Sequence, residues 1–227
     1  MLRDFGPNEI LYLLLAARWT LALSAVALLG GGSLGLLLAI SRICPNRPAR
    51  AAAALYIQLF QATPILLLLM LLYFGINVFG VRIDAWAAAA IGFTLSTAAF
   101  FGEIWRGCIE AVPKRQAEGA CALGLTFWQA LALVILPQAL RIALPPTVGY
   151  MVQVVKGTSV AALIGFTELA RAGTQMNTIT FQPLPVFGTV AAIYFAICWP
   201  LSLLSRHLER KLNFGAPRVL AQVAAVA

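Results

Sequence analysis

The chain reads as long apolar runs separated by short basic or polar clusters. Five of these runs are long enough to cross hydrocarbon, at roughly 20–41, 55–76, 85–106, 145–166 and 185–205. Ahead of the first, Asn8 to Ala17 is a short apolar run that Arg18 and Trp19 break, a pair suited to a membrane interface. Gly31 and Gly35 give the first span a GxxxG spacing, which permits close approach of another helix. Thr63-Pro64 interrupts the second span, and the proline leaves a carbonyl about one turn earlier without its partner. Glu103 and Arg106 end the third span three residues apart, a spacing that pairs them on one helix face. The fourth span is the least apolar, with Gln153, Lys156, Thr158 and Ser159 inside it. Thr167 to Pro185 reads as polar and turn-rich.

One apolar stretch is punctuated in a different way. In Glu118 to Pro137, Gly124 stops one short helix, and Thr126 starts another with Gln129 completing a capping box. Pro137 is expected to close that second helix, leaving both pieces below the roughly 20 residues of a span. A glycine-jointed pair of short helices just after Lys114-Arg115 reads as a docking surface, within a segment bounded at 108–137.

Composition agrees with a polytopic, all-α membrane protein forming one domain over 1–227. Hydrophobic residues make up 61% and charged residues 11%, against about 25% charged in a soluble domain. The net charge of +8 does not imply nucleic acid as a partner, because the basic residues sit between apolar runs and not along one face. Arg42, Arg47, Arg50, Arg106, Lys114, Arg115, Arg141, Arg206, Arg210, Lys211 and Arg218 fall on one side of a five-span layout. Only Arg3, Arg18, Arg82 and Arg171 fall on the other. The positive-inside rule then predicts an external N-terminus, a cytoplasmic C-terminus and a cytoplasmic docking segment. Cys44, Cys108, Cys121 and Cys198 are scattered and suggest neither a disulfide framework nor a metal site. The N-terminus lacks the pattern of a cleaved signal peptide.

Catalytic chemistry is not visible. His207 stands alone, no phosphate-binding loop occurs, and no hydrolase carboxylate pair is recognisable. Energy for any work must come from a partner or an ion gradient. Lys156 is the most informative single residue, since a lysine at membrane depth usually faces a cavity or a partner. With Gly157, Thr158 and Ser159 it could form a partly unwound polar patch, and Gln61 and Thr63 add polar groups at the proline break. A lone lysine there would favour a carboxylate-bearing solute. Glu103 is the one acidic candidate near membrane depth.

Glu103 to Leu169 resembles the permease subunits of ABC importers, in the polar amino-acid uptake group. EIWRGCIEAVPKRQAEGACALGL is similar to that family's E-I-x-R-G-G-I, proline-lysine step and E-A-A-x-x-x-G hallmark. Glu118, Ala120 and Gly124 sit at the motif positions, and Gly119 replaces the first alanine. Val134, Leu136-Pro137, PQALRIALPP and KGTSVAALIGFTEL continue the likeness. Ala62-Thr63-Pro64 resembles an arginine-glycine-threonine-proline motif in which Gln61 and Ala62 replace the first two residues.

The resemblance implies a type I importer permease in a bacterial cytoplasmic (inner) membrane. It implies a coupling helix carrying Glu118, Gly119, Ala120, Gly124 and Leu125, and beside it the polar residues Lys156, Thr158, Ser159, Gln61 and Thr63 are the candidates for a substrate path. The implied partners are an ABC ATPase dimer that holds ATP and Mg, a second permease (identical or a sister), and an extracytoplasmic solute-binding protein. The chain itself would carry no cofactor and would not be an enzyme. The alternative is a secondary transporter of small polar solutes driven by an ion gradient.

Overall fold

The computed structural model describes residues 4–80 and 82–212, and every regular element among them is helical. Arg3 and Arg218 of the charge tally lie outside the described residues. α1 (Pro7–Ile43) starts with Pro7 preset for the first turn and the Glu9 carboxylate accepting the Gly6 N–H at 3.0 Å. It then runs unbroken for 37 residues. The interruption expected at Arg18 and Trp19 does not occur, because both side chains point outward and neither removes a backbone hydrogen bond. The Arg18 guanidinium instead lies 5.6 Å from the Trp19 ring centre.

The second run is two pieces, α2 (Arg47–Ala62) and α3 (Ile65–Met70), bent by 99° at Thr63-Pro64. Proline supplies no N–H at the break, and the Thr63 hydroxyl donates to the Leu59 carbonyl at 2.8 Å. A π turn (Leu71–Gly75) and a 3-10 turn (Ile76–Phe79) complete this limb. α4 (Ala85–Glu110) opens at Asp84, whose carboxylate accepts the Ala87 N–H at 2.9 Å.

After α5 (Lys114–Ala122) and α6 (Phe127–Ala130), the structure departs from the expected short second helix. Helix continues through a π turn (Leu131–Ile135) into α7 (Leu136–Gly157) and a 3-10 turn (Thr158–Ile164). Pro137 does not close the run. The π turn widens the ladder so that the Leu136 N–H bonds the Leu131 carbonyl, and Pro137 falls in a first turn, where its missing N–H costs little. Nor does a helix restart at Pro145-Pro146, since both sit inside α7. There the Ser205 hydroxyl donates to the Pro145 carbonyl at 3.0 Å and Thr147 to Ala143 at 2.6 Å.

Thr167 to Pro185 holds α8 (Leu169–Thr180), where the sequence suggested turns. Its weak helix formers Thr174 and Thr178 bond back to carbonyls four residues earlier. Packing supplies what propensity lacks: Leu169 and Ala172 are buried against Leu13, Ala16 and Ala17 of α1. α9 (Pro183–Leu212) closes the described chain.

α1 and α4 make the most extensive helix contact. The GxxxG glycines form this contact inside the chain. A Cβ on Gly31 would lie 2.6 Å from Thr97 Cβ, and one on Gly35 2.8 Å from Phe101 Cβ. Gly30 faces Thr94 and Gly35 faces Phe101, so the two helices run parallel. α7 runs against α4, with Thr147 bonded to Trp105 and Tyr150 stacked on Phe100. α9 runs against α7, from Cys198 beside Val152 and Val155 to Ser205 beside Pro145. The ends of α1, α4 and α9 therefore gather with α5 and α6 at one end of the bundle, and α8 sits at the other. Among the described residues four helices are long and apolar enough to cross a membrane, or five if the bent pair counts as one span.

Candidate functional site

Two features stand out, an exposed helical pair at one end and a cavity between helices whose largely apolar wall carries a few polar side chains. The pair is α5 and α6. Gly124 takes φ +77°, a conformation that favours glycine, and it ends α5 in a Schellman turn. The Leu125 N–H reaches the Ala120 carbonyl at 3.1 Å, and the Gly124 N–H reaches Cys121 at 2.9 Å. The next helix opens with the expected capping box: Thr126 N–H donates to Gln129 Oε1 at 2.9 Å, and Gln129 N–H to Thr126 Oγ1 at 3.4 Å. Glu118, Gly119 and Gly124 are exposed, Leu125 is half-buried, and Ala120 packs inward. Three residues that sequence reasoning passed over add an apolar surface here. Leu123 is 82% exposed, and Phe127 and Trp128 stand edge to face, with Trp128 54% exposed. Exposed large apolar groups beside a well-capped turn fit a surface made to be covered. On α4 next to this pair, Arg106 pairs with Glu103, as its spacing suggested, and also with Glu110.

The cavity has a volume of about 280 Å³ and lies between the α2–α3 bend, α4 and α7. Gln61, Thr63 and Pro64 reach it from the bend. α4 presents Phe93, Ser96, Thr97 and Phe100, and α7 presents Tyr150, Gln153, Val154 and Gly157. Both sets follow i, i+3, i+4, i+7, the spacing of one helix face. The Tyr150 phenol shares this lining with the Ser96 and Thr97 hydroxyls. A Cβ on Gly157 would sit 3.4 Å from the Phe93 ring, in ordinary contact across the cavity wall.

Of the residues expected on a substrate path, Gln61 and Thr63 line this cavity, and Lys156, Thr158 and Ser159 are not among its lining. Lys156 is exposed. It lies roughly 110° around α7 from the middle of the lining stripe and about 60° from its edge at Gln153, next to Val155, which packs on α9. Ser159 donates to the Lys156 carbonyl at 2.8 Å, and buried Thr158 donates to Val155 at 2.7 Å. The backbone after Gly157 is thus tightened into a 3-10 turn and not unwound. Ser96, Thr97 and Tyr150 went unnoticed in the sequence, although their periodicity across two apolar helices marks them.

Glu168, which drew no attention in the sequence, is fully buried. It caps α8, accepting the Ala170 and Arg171 N–H groups at 2.9 Å each. Tyr194 of α9 donates to it at 2.7 Å and Thr20 of α1 at 3.3 Å. One carboxylate therefore ties three helices together, four residues beyond the end of the 3-10 turn at Ile164.

Comparison with known proteins points in one direction. Residues 31–214 match the family described as binding-protein-dependent transport system inner membrane component. The probable amino-acid ABC transporter permease protein YckA of Bacillus subtilis is 36% identical over 200 residues, covering 88% of each chain. The glutamine transport system permease protein GlnP of Escherichia coli is 34% identical over 199 residues, covering 87% of this chain and 91% of that one. A solved structure described as a crystal structure of an amino acid ABC transporter with histidines superposes with a TM-score of 0.84. It is 30% identical, over 88% of this chain and 94% of its own.

Proposed function

The chain belongs to the family of binding-protein-dependent transport system inner membrane components, and from that premise we propose that it carries polar amino acids across a bacterial inner membrane as the permease of an ABC importer. Family membership separates this reading from the ion-gradient alternative. The protein is a transporter subunit, and ATP with Mg belongs to a separate ATPase dimer. A second permease, identical or a sister, and an extracytoplasmic binding protein complete the assembly. The whole of 1–227 acts as one permease domain of five spans, with the N-terminus outside and the C-terminus in the cytoplasm. The gathering of Arg42, Arg106, Lys114, Arg115 and Arg206 at the end that holds α5 and α6 supports this orientation.

The observation that carries the reading is the continuity between the two features. α6 leads through the π turn into α7, so the Gly124 joint and the cavity wall at Tyr150, Gln153 and Gly157 lie on one helical path. From Phe127 to Gly157 that path is about 45 Å long at 1.5 Å per residue. When the ATPase dimer closes, it moves the element formed by Glu118, Gly119, Ala120, Gly124 and Leu125, with Leu123, Phe127 and Trp128 seated in its cleft. The motion travels up α7 and changes which side of the membrane the cavity faces. The wider π turn gives that lever a compliant point near its base.

The test is Gly124→Asp in the reconstituted importer. The variant should insert into the membrane and leave ATP hydrolysis running while solute uptake is lost. Normal uptake by this variant would sink the assignment of the docking element.

A further inference from the structure

Resting on the reading of the cavity as the solute path, we infer that this chain selects amino acids with a neutral, polar side chain and excludes cationic and anionic ones. Among the described residues that line the cavity none is charged. Its wall offers the amides of Gln61 and Gln153, the hydroxyls of Ser96, Thr97 and Tyr150, and the ring of Phe93. Amides and hydroxyls both donate and accept hydrogen bonds, so the same wall can meet an ammonium and a carboxylate.

Lys156, Glu103 and Glu168 are not part of this lining, and the two carboxylates are already engaged. Lys156 precedes the lining residue Gly157 but is exposed and sits roughly 110° around the helix from the middle of the lining stripe. Glu103, three residues beyond Phe100, accepts from Arg106 Nε at 3.0 Å. Glu168 has its two oxygens taken by four donors. The two charges of an amino-acid backbone cancel within the solute. A third charge on its side chain would enter a membrane-embedded cavity with no counter-charge to meet it. On insertion scales such a charge weakens binding on the order of 100-fold. The acidic solute that Lys156 suggested is therefore disfavoured along with basic ones.

The experiment measures retention of radiolabelled L-glutamine, L-asparagine, L-serine, L-arginine, L-lysine and L-glutamate on the permease–ATPase complex in nanodiscs, without the binding protein. The neutral three should be retained on the order of 100-fold more tightly than the charged three. Gln153→Glu should raise L-arginine and L-lysine retention at least about 10-fold, because it supplies the missing counter-charge. Gln153→Trp should abolish retention by filling the space. Charged solutes held as tightly as neutral ones, with loss in Gln153→Trp, would overturn the selectivity and leave the cavity as the path. No retention of any of the six, or retention untouched by Gln153→Trp, would overturn the path itself and the selectivity with it.

Discussion

Replacing Gly31 by alanine places a methyl group where the α1–α4 contact leaves no room. Its Cβ would lie 2.6 Å from Thr97 Cβ and 3.1 Å from the Ala98 backbone nitrogen. Carbon atoms pack best at about 3.5–4.0 Å, so the helices must separate locally by roughly 1 Å. Neither obstacle is the free end of a flexible side chain, so rotamer change cannot relieve the contact. Gly32 supplies the internal control, since a Cβ there meets Trp105 at 3.8 Å, ordinary van der Waals distance. Alanine favours helix over glycine to a similar degree at both positions, so that contribution cancels in the comparison. What remains is the overpacking penalty, about 1–3 kcal/mol, or about 5- to 150-fold in the unfolding equilibrium. Titrating detergent-solubilised Gly31→Ala and Gly32→Ala with SDS, followed by helix circular dichroism, measures that difference. Thr97 also lines the cavity, so Gly31→Ala should lower uptake as well. Equal unfolding midpoints for the two variants would refute the argument that close backbone approach, and not flexibility, is the reason for glycine at position 31.

Glu168→Ala should destabilise the protein by about 2–4 kcal/mol in the same titration, because it leaves buried donors from Tyr194, Thr20 and the start of α8 without an acceptor. A change below about 0.5 kcal/mol would mean that solvent or lipid replaces the carboxylate. Thr126→Ala removes a helix cap at an exposed site, so global stability should hold while hydrogen exchange at Gln129 rises about 5-fold, the equivalent of roughly 1 kcal/mol. Thr126→Ser should restore protection, and an unchanged exchange rate in the alanine variant would argue against the cap.

Much of the helical inventory was legible because it depends on local chemistry. The capping box at Thr126 and Gln129, the glycine turn at Gly124 and the break at Pro64 each act over a few residues, and each forms as its residues suggest. The cavity was only half legible. Gln61 and Thr63 advertised themselves beside a proline, whereas Ser96, Thr97 and Tyr150 became a site only when α4 and α7 faced each other. Lys156 drew attention as a charge in an apolar run, yet its angular position on α7 separates it from the lining stripe, and nothing adjacent in sequence encodes what that face meets. α8 was missed because Gly173, Thr174, Asn177, Thr178 and Thr180 give its stretch the look of turns, and its burial against α1 is not visible in local sequence.

The chain by itself determined its apolar spans, its charge asymmetry and the short docking pair, since each follows from transfer free energy or from hydrogen bonds within a few residues. The folded chain, and not the sequence pattern, showed that Pro137 and Pro145 lie within one helical path, with Pro137 placed just after a π turn and Pro145 held against α9 by the Ser205 hydroxyl on its carbonyl. It also decided that Glu168 could be buried at all. A carboxylate is stable away from water only when donors converge on it, and here they come from residues 20, 170, 171 and 194, which only the packed fold brings together.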